Sequence, residues 1–176
     1  MSATGDNEAA RPQRSCGPCG LCCKLMGVSE IAKPAGDWCS HWSASCGCAI
    51  YTERPHACRI FDCWYRSDAA APEVWNPVKS RMVVTIDMNG KRFAVYVDPN
   101  RPDAWRREPY HGLLRGYAER MLPRGAQVVV YIGERCIAVL PDRDVDLGIC
   151  TGEYRLRYTP HFTAQGARWD VAVARP

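Results

Sequence analysis

Nine of the eleven cysteines lie between Cys16 and Cys63, and four of them fall within Cys16-Gly-Pro-Cys19-Gly-Leu-Cys22-Cys23. A lone buried cysteine behaves as a small apolar residue with an inert thiol. Thiols this dense are an oxidation hazard unless something ties them up, and the candidates are disulfides and metal. Whatever this chain folds into must bring that stretch together.

Redox setting separates the two candidates. Met1 to Ser15 is polar and mixed in charge, without the apolar core of a secretory signal, and no apolar run approaches the roughly 20 residues of a membrane span. A cytoplasmic location is therefore expected, with no membrane role. A reducing cytosol keeps thiols free, which favours metal or redox chemistry over disulfides. An odd total of eleven also leaves at least one thiol unpaired in any all-disulfide scheme.

Charge says less. The first 75 residues carry 7 Lys/Arg against 8 Asp/Glu, and residues 76–176 carry 16 against 11, so the net +4 sits in the second half. Ligating thiols are deprotonated, and eight thiolates around two divalent ions would bring that total to about zero. Trp105, Tyr110 and Tyr117 in the basic half fall mostly at core spacing, so nucleic acid has little support as a partner.

Taken in order, residues 1–15 read as a disordered leader and residues 16–75 as a cysteine module. Glycine and proline at Cys16-Gly-Pro-Cys19-Gly favour a tight knuckle whose turned N–H groups can point at sulfur. A helix starting near Gly20 would set Cys19, Cys22 and Cys23 on one side through i, i+3 and i+4 spacing. Adjacent Cys22 and Cys23 cannot easily serve one tetrahedral ion, which suggests two metals, a larger cluster, or one thiol outside the ligand set. Cys39 comes in on a loop between Trp38 and Trp42, which are expected to shield the site. Cys46-Gly-Cys48 reads as a second knuckle. Pro55 suits the first position of a helix carrying Cys58. Cys58 and Cys63 are five apart, so the chain must leave that helix between them. Arg54 and Arg59 are placed to offset thiolate charge and to pair with Glu53 or Asp62.

Cysteine density collapses beyond the connector at Ser67 to Pro77, and residues 76–176 read as a β-rich α+β domain. Two β-rich runs joined by Asn89-Gly90 predict a hairpin with a two-residue type I′ turn. Leu113, Leu114, Tyr117, Ala118 and Met121 predict one amphipathic helix, stopped by Pro123 and Gly125. Val128 to Ile132 and Cys136 to Leu140 predict a second hairpin, and Tyr154 to Tyr158 and Arg168 to Ala174 weaker strands. The expected fold is α+β: a loop-rich cysteine and metal module with short helices, packed on a small, mostly antiparallel β domain with one amphipathic helix.

Soft sulfur ligands select zinc, Cu(I) or iron–sulfur clusters. The spacing matches neither the two-cluster ferredoxin run nor a zinc finger with paired histidines, so zinc and iron–sulfur both stay open. No nucleotide, phosphate or hydrolase motif occurs and no catalytic residue is assigned. His41 and His56 are the histidines near the sulfurs and are minor ligand candidates, while His111 and His161 sit in no nucleophile motif.

The run Cys16-x2-Cys19-Gly-x-Cys22-Cys23, then Cys39, then Cys48-Ala-Ile-Tyr-x2-Arg-Pro-x2-Cys58-Arg-x-Phe-x-Cys63-Trp resembles the YkgJ-type cysteine cluster family, also described as the zinc- or iron-chelating CxxCxxCC family. The resemblance covers about residues 16–65. It implies metal ligation by Cys16, Cys19, Cys22, Cys23, Cys39, Cys48, Cys58 and Cys63. It also implies zinc as cofactor, with an iron–sulfur cluster as the alternative, and metal ions as partners. The role is then structural or metal-handling, the alternative being an iron–sulfur oxidoreductase or electron carrier. Cys46 could replace Cys48 or stand free, and Cys136 and Cys150 are expected to be structural.

Overall fold

A computed structural model describes Arg14, residues 19–164 and residues 166–175. The expected leader, apart from Arg14, and Cys16 with most of its knuckle lie outside the described residues.

The cysteine stretch is built from short pieces. Helix α1, Leu21–Leu25, starts after Gly20, as the cysteine spacing predicts. A two-residue hairpin, β1 (Trp42–Ser43) with β2 (Gly47–Cys48), places Trp42 opposite Cys48. Helix α2, His56–Ile60, follows Pro55, which sits one position earlier than expected, as the cap. The chain breaks at residues 61–63 and resumes as α3, Trp64–Ser67, with Cys63 at its cap. Helix α4, Pro77–Ser80, opens under the Asn76 side chain, which accepts from the Val78 amide at 3.1 Å.

Strands β3 (Met82–Asp87), β4 (Arg92–Val97), β5 (Gln127–Ile132), β6 (Arg135–Val139) and β7 (Asp144–Ile149) form one sheet in that order. Between β3 and β4 the hairpin forms as expected and the Lys91 amide donates to the Met88 carbonyl across Asn89 and Gly90, but Met88 joins them at positive φ (55°, 55° and 82°), so the connection is the four residues 88–91 rather than the expected two-residue turn. All neighbours are antiparallel except β4 and β5, which run parallel. Parallel neighbours need a crossover, and the amphipathic helix, α5 at Tyr110–Met121, lies in it. A 3₁₀ turn at Leu122–Arg124 and Gly125 at φ 72° end that helix. Strand β7 had no sequence expectation behind it. The last strands, β8 (Arg155–Thr163) and β9 (Gly166–Ala174), pair as a separate antiparallel hairpin and run longer than expected.

Strand alternation divides the sheet into two faces. Phe93, Val95, Val97, Val128, Val130, Ile137 and Val139 join Leu114 and Ala118 of α5 in the main core. Burying an aliphatic side chain of this size contributes about 1.5–3 kcal/mol. Trp75 and Trp105 fill the same core, although Trp75 stands in what reads as a connector. The other face receives the cysteine stretch: Leu21 and Leu25 of α1 close on Val83, with Tyr96, Phe61 and Cys63 around them. None of the described helices is long and apolar enough to cross a membrane.

Candidate functional site

A cavity of about 980 Å³ opens between the cysteine stretch and the second face of the sheet. Cys19, Cys22, Cys23, Cys39, Cys48 and Cys58 line it. Cys63 stands beside it, close enough to Cys19 and Cys22 for their charges to act on its thiol.

Each sulfur is held by its own local device. In α1, successive positions carry Cys22 and Cys23, close enough for each thiol to act on the other. Cys39 is drawn to α1 by its amide, which donates to the Cys23 carbonyl at 3.0 Å. Cys48 reaches the cavity through the β1–β2 register, reinforced by the Ala49 amide donating to the His41 carbonyl at 2.8 Å. Cys58 rides on α2, whose first amides, those of His56 and Ala57, donate to the two carboxylate oxygens of Glu30 at 2.7 and 2.9 Å. Cys63 is fixed by its carbonyl, which accepts from the Arg66 and Ser67 amides as α3 begins.

Aromatic rings close the walls. Trp38 and Trp42 stack with centroids 4.1 Å apart, and Trp42 lines the cavity while Trp38 stays nearly half exposed. Gly20 is required by that ring: an added Cβ would stand 2.1 Å from the Trp42 indole. The Gly in Cys-Gly-x-Cys-Cys is therefore a packing position as well as a turn position.

The electrostatics are those of crowded thiols. Cys22 is raised far above the ordinary thiol range, first because it donates to Cys23 and second by burial, while Cys23 is lowered by accepting that bond. Burial raises Cys58, with Cys39, Cys22 and Cys48 adding to the shift and Arg54 opposing it. Burial pushes Cys63 up to about 11 against the pull of the Arg66 and Tyr65 amides. The buried Lys33 ammonium lies near Cys39 and Cys23 and donates to the carbonyls of Lys24, at 2.7 Å, and of Met26. Desolvation lowers Lys33, and the neighbouring sulfurs pull it back up.

Six of the eight cysteines of the sequence pattern thus line one cavity, Cys63 adjoins it, and Cys16 lies outside the described residues. The sulfurs ring the walls without converging: among the described residues, no three of His, Cys, Asp and Glu stand close enough together to hold a metal ion. Cys46, outside the eight-cysteine pattern, also lines the cavity but is exposed, its sulfur 2.8 Å from the Ser43 hydroxyl. His41 and His56 do not line the cavity. Arg54 does, but its Nε donates to the Tyr51 carbonyl and its guanidinium lies over the Tyr51 ring, and Asp62 pairs with Arg66 rather than with Arg54 or Arg59.

Sequence reasoning did not foresee the sheet side of the cavity. Thr85 and Asp87, joined by a 2.9 Å hydrogen bond, and Tyr96 supply polar groups to that wall. The signal available was the polar alternation of Thr85 and Asp87 against Val84 and Ile86, which puts them on the face away from the main core. No family model, curated protein or solved structure matches the chain.

Proposed function

We propose that this protein binds thiophilic metal, with zinc as the first candidate, through Cys19, Cys22, Cys23, Cys39, Cys48, Cys58 and Cys63 together with Cys16. One observation carries the reading: thiols scattered over more than forty positions of sequence line or adjoin a single cavity. Soft, deprotonated sulfur is the ligand set that zinc, Cu(I) and iron–sulfur clusters select. The donor chemistry fits, and binding would draw the sulfurs inward from the walls they now occupy. The resemblance to the YkgJ-type cysteine cluster rests on the same positions. A structural or metal-handling role follows, in a loop-rich module whose short helices have little core of their own. Free thiols in this number suit a reducing compartment, so we assign the chain to the cytoplasm.

The size of the cavity favours a second reading, in which an iron–sulfur cluster sits among the sulfurs and the protein carries electrons. About 980 Å³ is far more than one or two zinc ions occupy. Anaerobic purification followed by elemental analysis, acid-labile sulfide assay and visible spectroscopy separates the two. The expected result is colourless protein with stoichiometric zinc. Brown protein containing iron and sulfide would replace zinc by the cluster, and protein that retains and takes up neither would overturn metal binding altogether.

A further inference from the structure

Cys136 and Cys150 lie away from the candidate metal cavity, on neighbouring strands. Cys136 is in β6 and is fully buried; Cys150 follows the last residue of β7 and is partly exposed. The register pairs Cys136 with Gly148, and the Cys150 amide donates to the Glu134 carbonyl at 2.9 Å. Residues 148 and 150 share a face of the strand, so Cys150 comes one step diagonally from Cys136 on the same side of the sheet. A register shift between Cys136 and Ile137 bends the strands there. Cys150 stands near enough for its thiol to act on that of Cys136.

The surroundings set the two sulfurs apart chemically. Burial, with Cys150 adding to it, pushes Cys136 up to about 12, which keeps it a protonated thiol. The Tyr154 hydroxyl lies near Cys136 and donates to the Tyr131 hydroxyl at 3.0 Å. Tyr154 lies just ahead of β8, so this cluster ties the base of the β8–β9 hairpin to the sheet.

We propose that Cys136 and Cys150 form a redox-active dithiol that a hydroperoxide, such as hydrogen peroxide, converts to a disulfide joining β6 to the end of β7. Cys150, the partly exposed partner, gives its proton to solvent, and its sulfur attacks one peroxide oxygen. The O–O bond breaks, hydroxide leaves and takes up a proton as water, and Cys150 becomes a sulfenic acid. The Cys136 sulfur then attacks the Cys150 sulfur. The S–O bond breaks, and the hydroxyl leaves with the Cys136 proton as a second water. Two thiols have lost two electrons and the peroxide has gained them. A dithiol reductant reverses the change. The modification site is independent of what the cavity binds.

The test uses the full chain. Native protein is exposed to hydrogen peroxide, remaining thiols are alkylated, and the unreduced digest is mapped by mass spectrometry. The expected product is a Cys136–Cys150 linked peptide, two hydrogens lighter than the separate pair, that disappears after dithiothreitol. In Cys136→Ala, Cys150 should stop at a sulfenic acid that dimedone traps, and in Cys150→Ser, Cys136 should stay alkylatable. The wild-type map decides the matter even if a variant does not fold. Recovery of both cysteines as free thiols, under peroxide that oxidises other cysteines of the chain, would overturn the proposal. So would a link from Cys136 to any cysteine other than Cys150.

Discussion

The Lys24 ammonium stands 2.6 Å from the Asp98 carboxylate, and both side chains are almost wholly excluded from water. Lys24 directly follows Cys23 on α1, and Asp98 directly follows β4. The pair therefore fixes the helix carrying two of the cavity thiols to the sheet that forms the opposite wall. Arg81 adds a second cation to Asp98 at 2.8 Å, and the Asn100 amide donates to it at 3.0 Å.

Removing the acid should cost more than the pair contributes. Asp98→Asn leaves the Lys24 ammonium buried without its counter-charge, a change that destabilises by about 3–5 kcal/mol. Replacing Lys24 by Met in the same chain should recover a large part of that loss, because the stranded charge goes with it. Denaturant unfolding of the two single variants and the double variant measures the coupling.

The same carboxylate sets an acid limit. Burial by itself would raise Asp98, but hydrogen bonds from Lys24, Asn100 and Arg81, and the charge of Lys24, hold it below the ordinary carboxylate range. The folded chain thus binds this proton less readily than the unfolded chain. The stabilisation is complete above the unfolded value near pH 4 and disappears as pH falls through the lower folded value. Unfolding free energy should fall steeply with acid below about pH 4 in the wild type. In Asp98→Asn that part of the dependence should be absent.

Close approach makes Gly20 as sensitive as a cysteine. With a Cβ, residue 20 would meet the Trp42 indole at 2.1 Å, so Gly20→Ala must displace the ring or the start of α1. The variant should melt lower than wild type and, if the thiols bind metal as proposed, retain less of it, while Gly20→Ala with Trp42→Ala should recover metal content because the clash is gone. Thermal melts and elemental analysis on the three variants test this. Equal metal content in Gly20→Ala and wild type would remove Gly20 from the site.

Features written in contiguous residues were legible in advance, and features made by distant segments were not. The α1 start followed from Cys19, Cys22 and Cys23, the break between α2 and α3 from the five-residue step between Cys58 and Cys63, and the β3–β4 hairpin from Asn89-Gly90. Strand β7 stayed hidden because Asp144-Val-Asp-Leu-Gly-Ile carries two aspartates and a glycine, which disfavour strand, and it pairs within its sheet only with β6. The parallel pairing of β4 with β5 leaves no local mark, since the partners are separated by α5. For the same reason the cysteine spacing could name the sulfur wall of the cavity but not the Thr85, Asp87 and Tyr96 wall facing it.

Trp75 was the costliest omission for the core. It is buried to 1% exposure and meets Phe93 edge-on at 5.7 Å, with Tyr110 and Tyr117 around it. Trp75→Ala should destabilise by about 3–5 kcal/mol. Trp75→Phe should cost much less, because it keeps a ring in place and deletes an indole N–H that has no hydrogen-bond partner among the described residues. Chemical denaturation of both variants gives the comparison.

Metal removal should act unevenly if the sulfurs bind metal as proposed. Helices α1 and α2 and the β1–β2 hairpin are short, and the described apolar contacts around α1 amount to Leu21, Leu25 and Val83 with their neighbours. Strands β4 and β5 are held chiefly by the main core, through Phe93, Val95, Val97, Val128 and Val130. Chelation should therefore speed amide exchange across residues 21–60 by orders of magnitude while β4 and β5 exchange at nearly their original rates. Hydrogen exchange read by mass spectrometry, with and without chelator, distinguishes this from global loosening. Unchanged protection at Cys22, Cys39 and Cys58 after complete metal loss would mean that Lys24, Asp98 and the apolar contacts hold the thiols in place unaided, and the metal would then be cargo rather than structure.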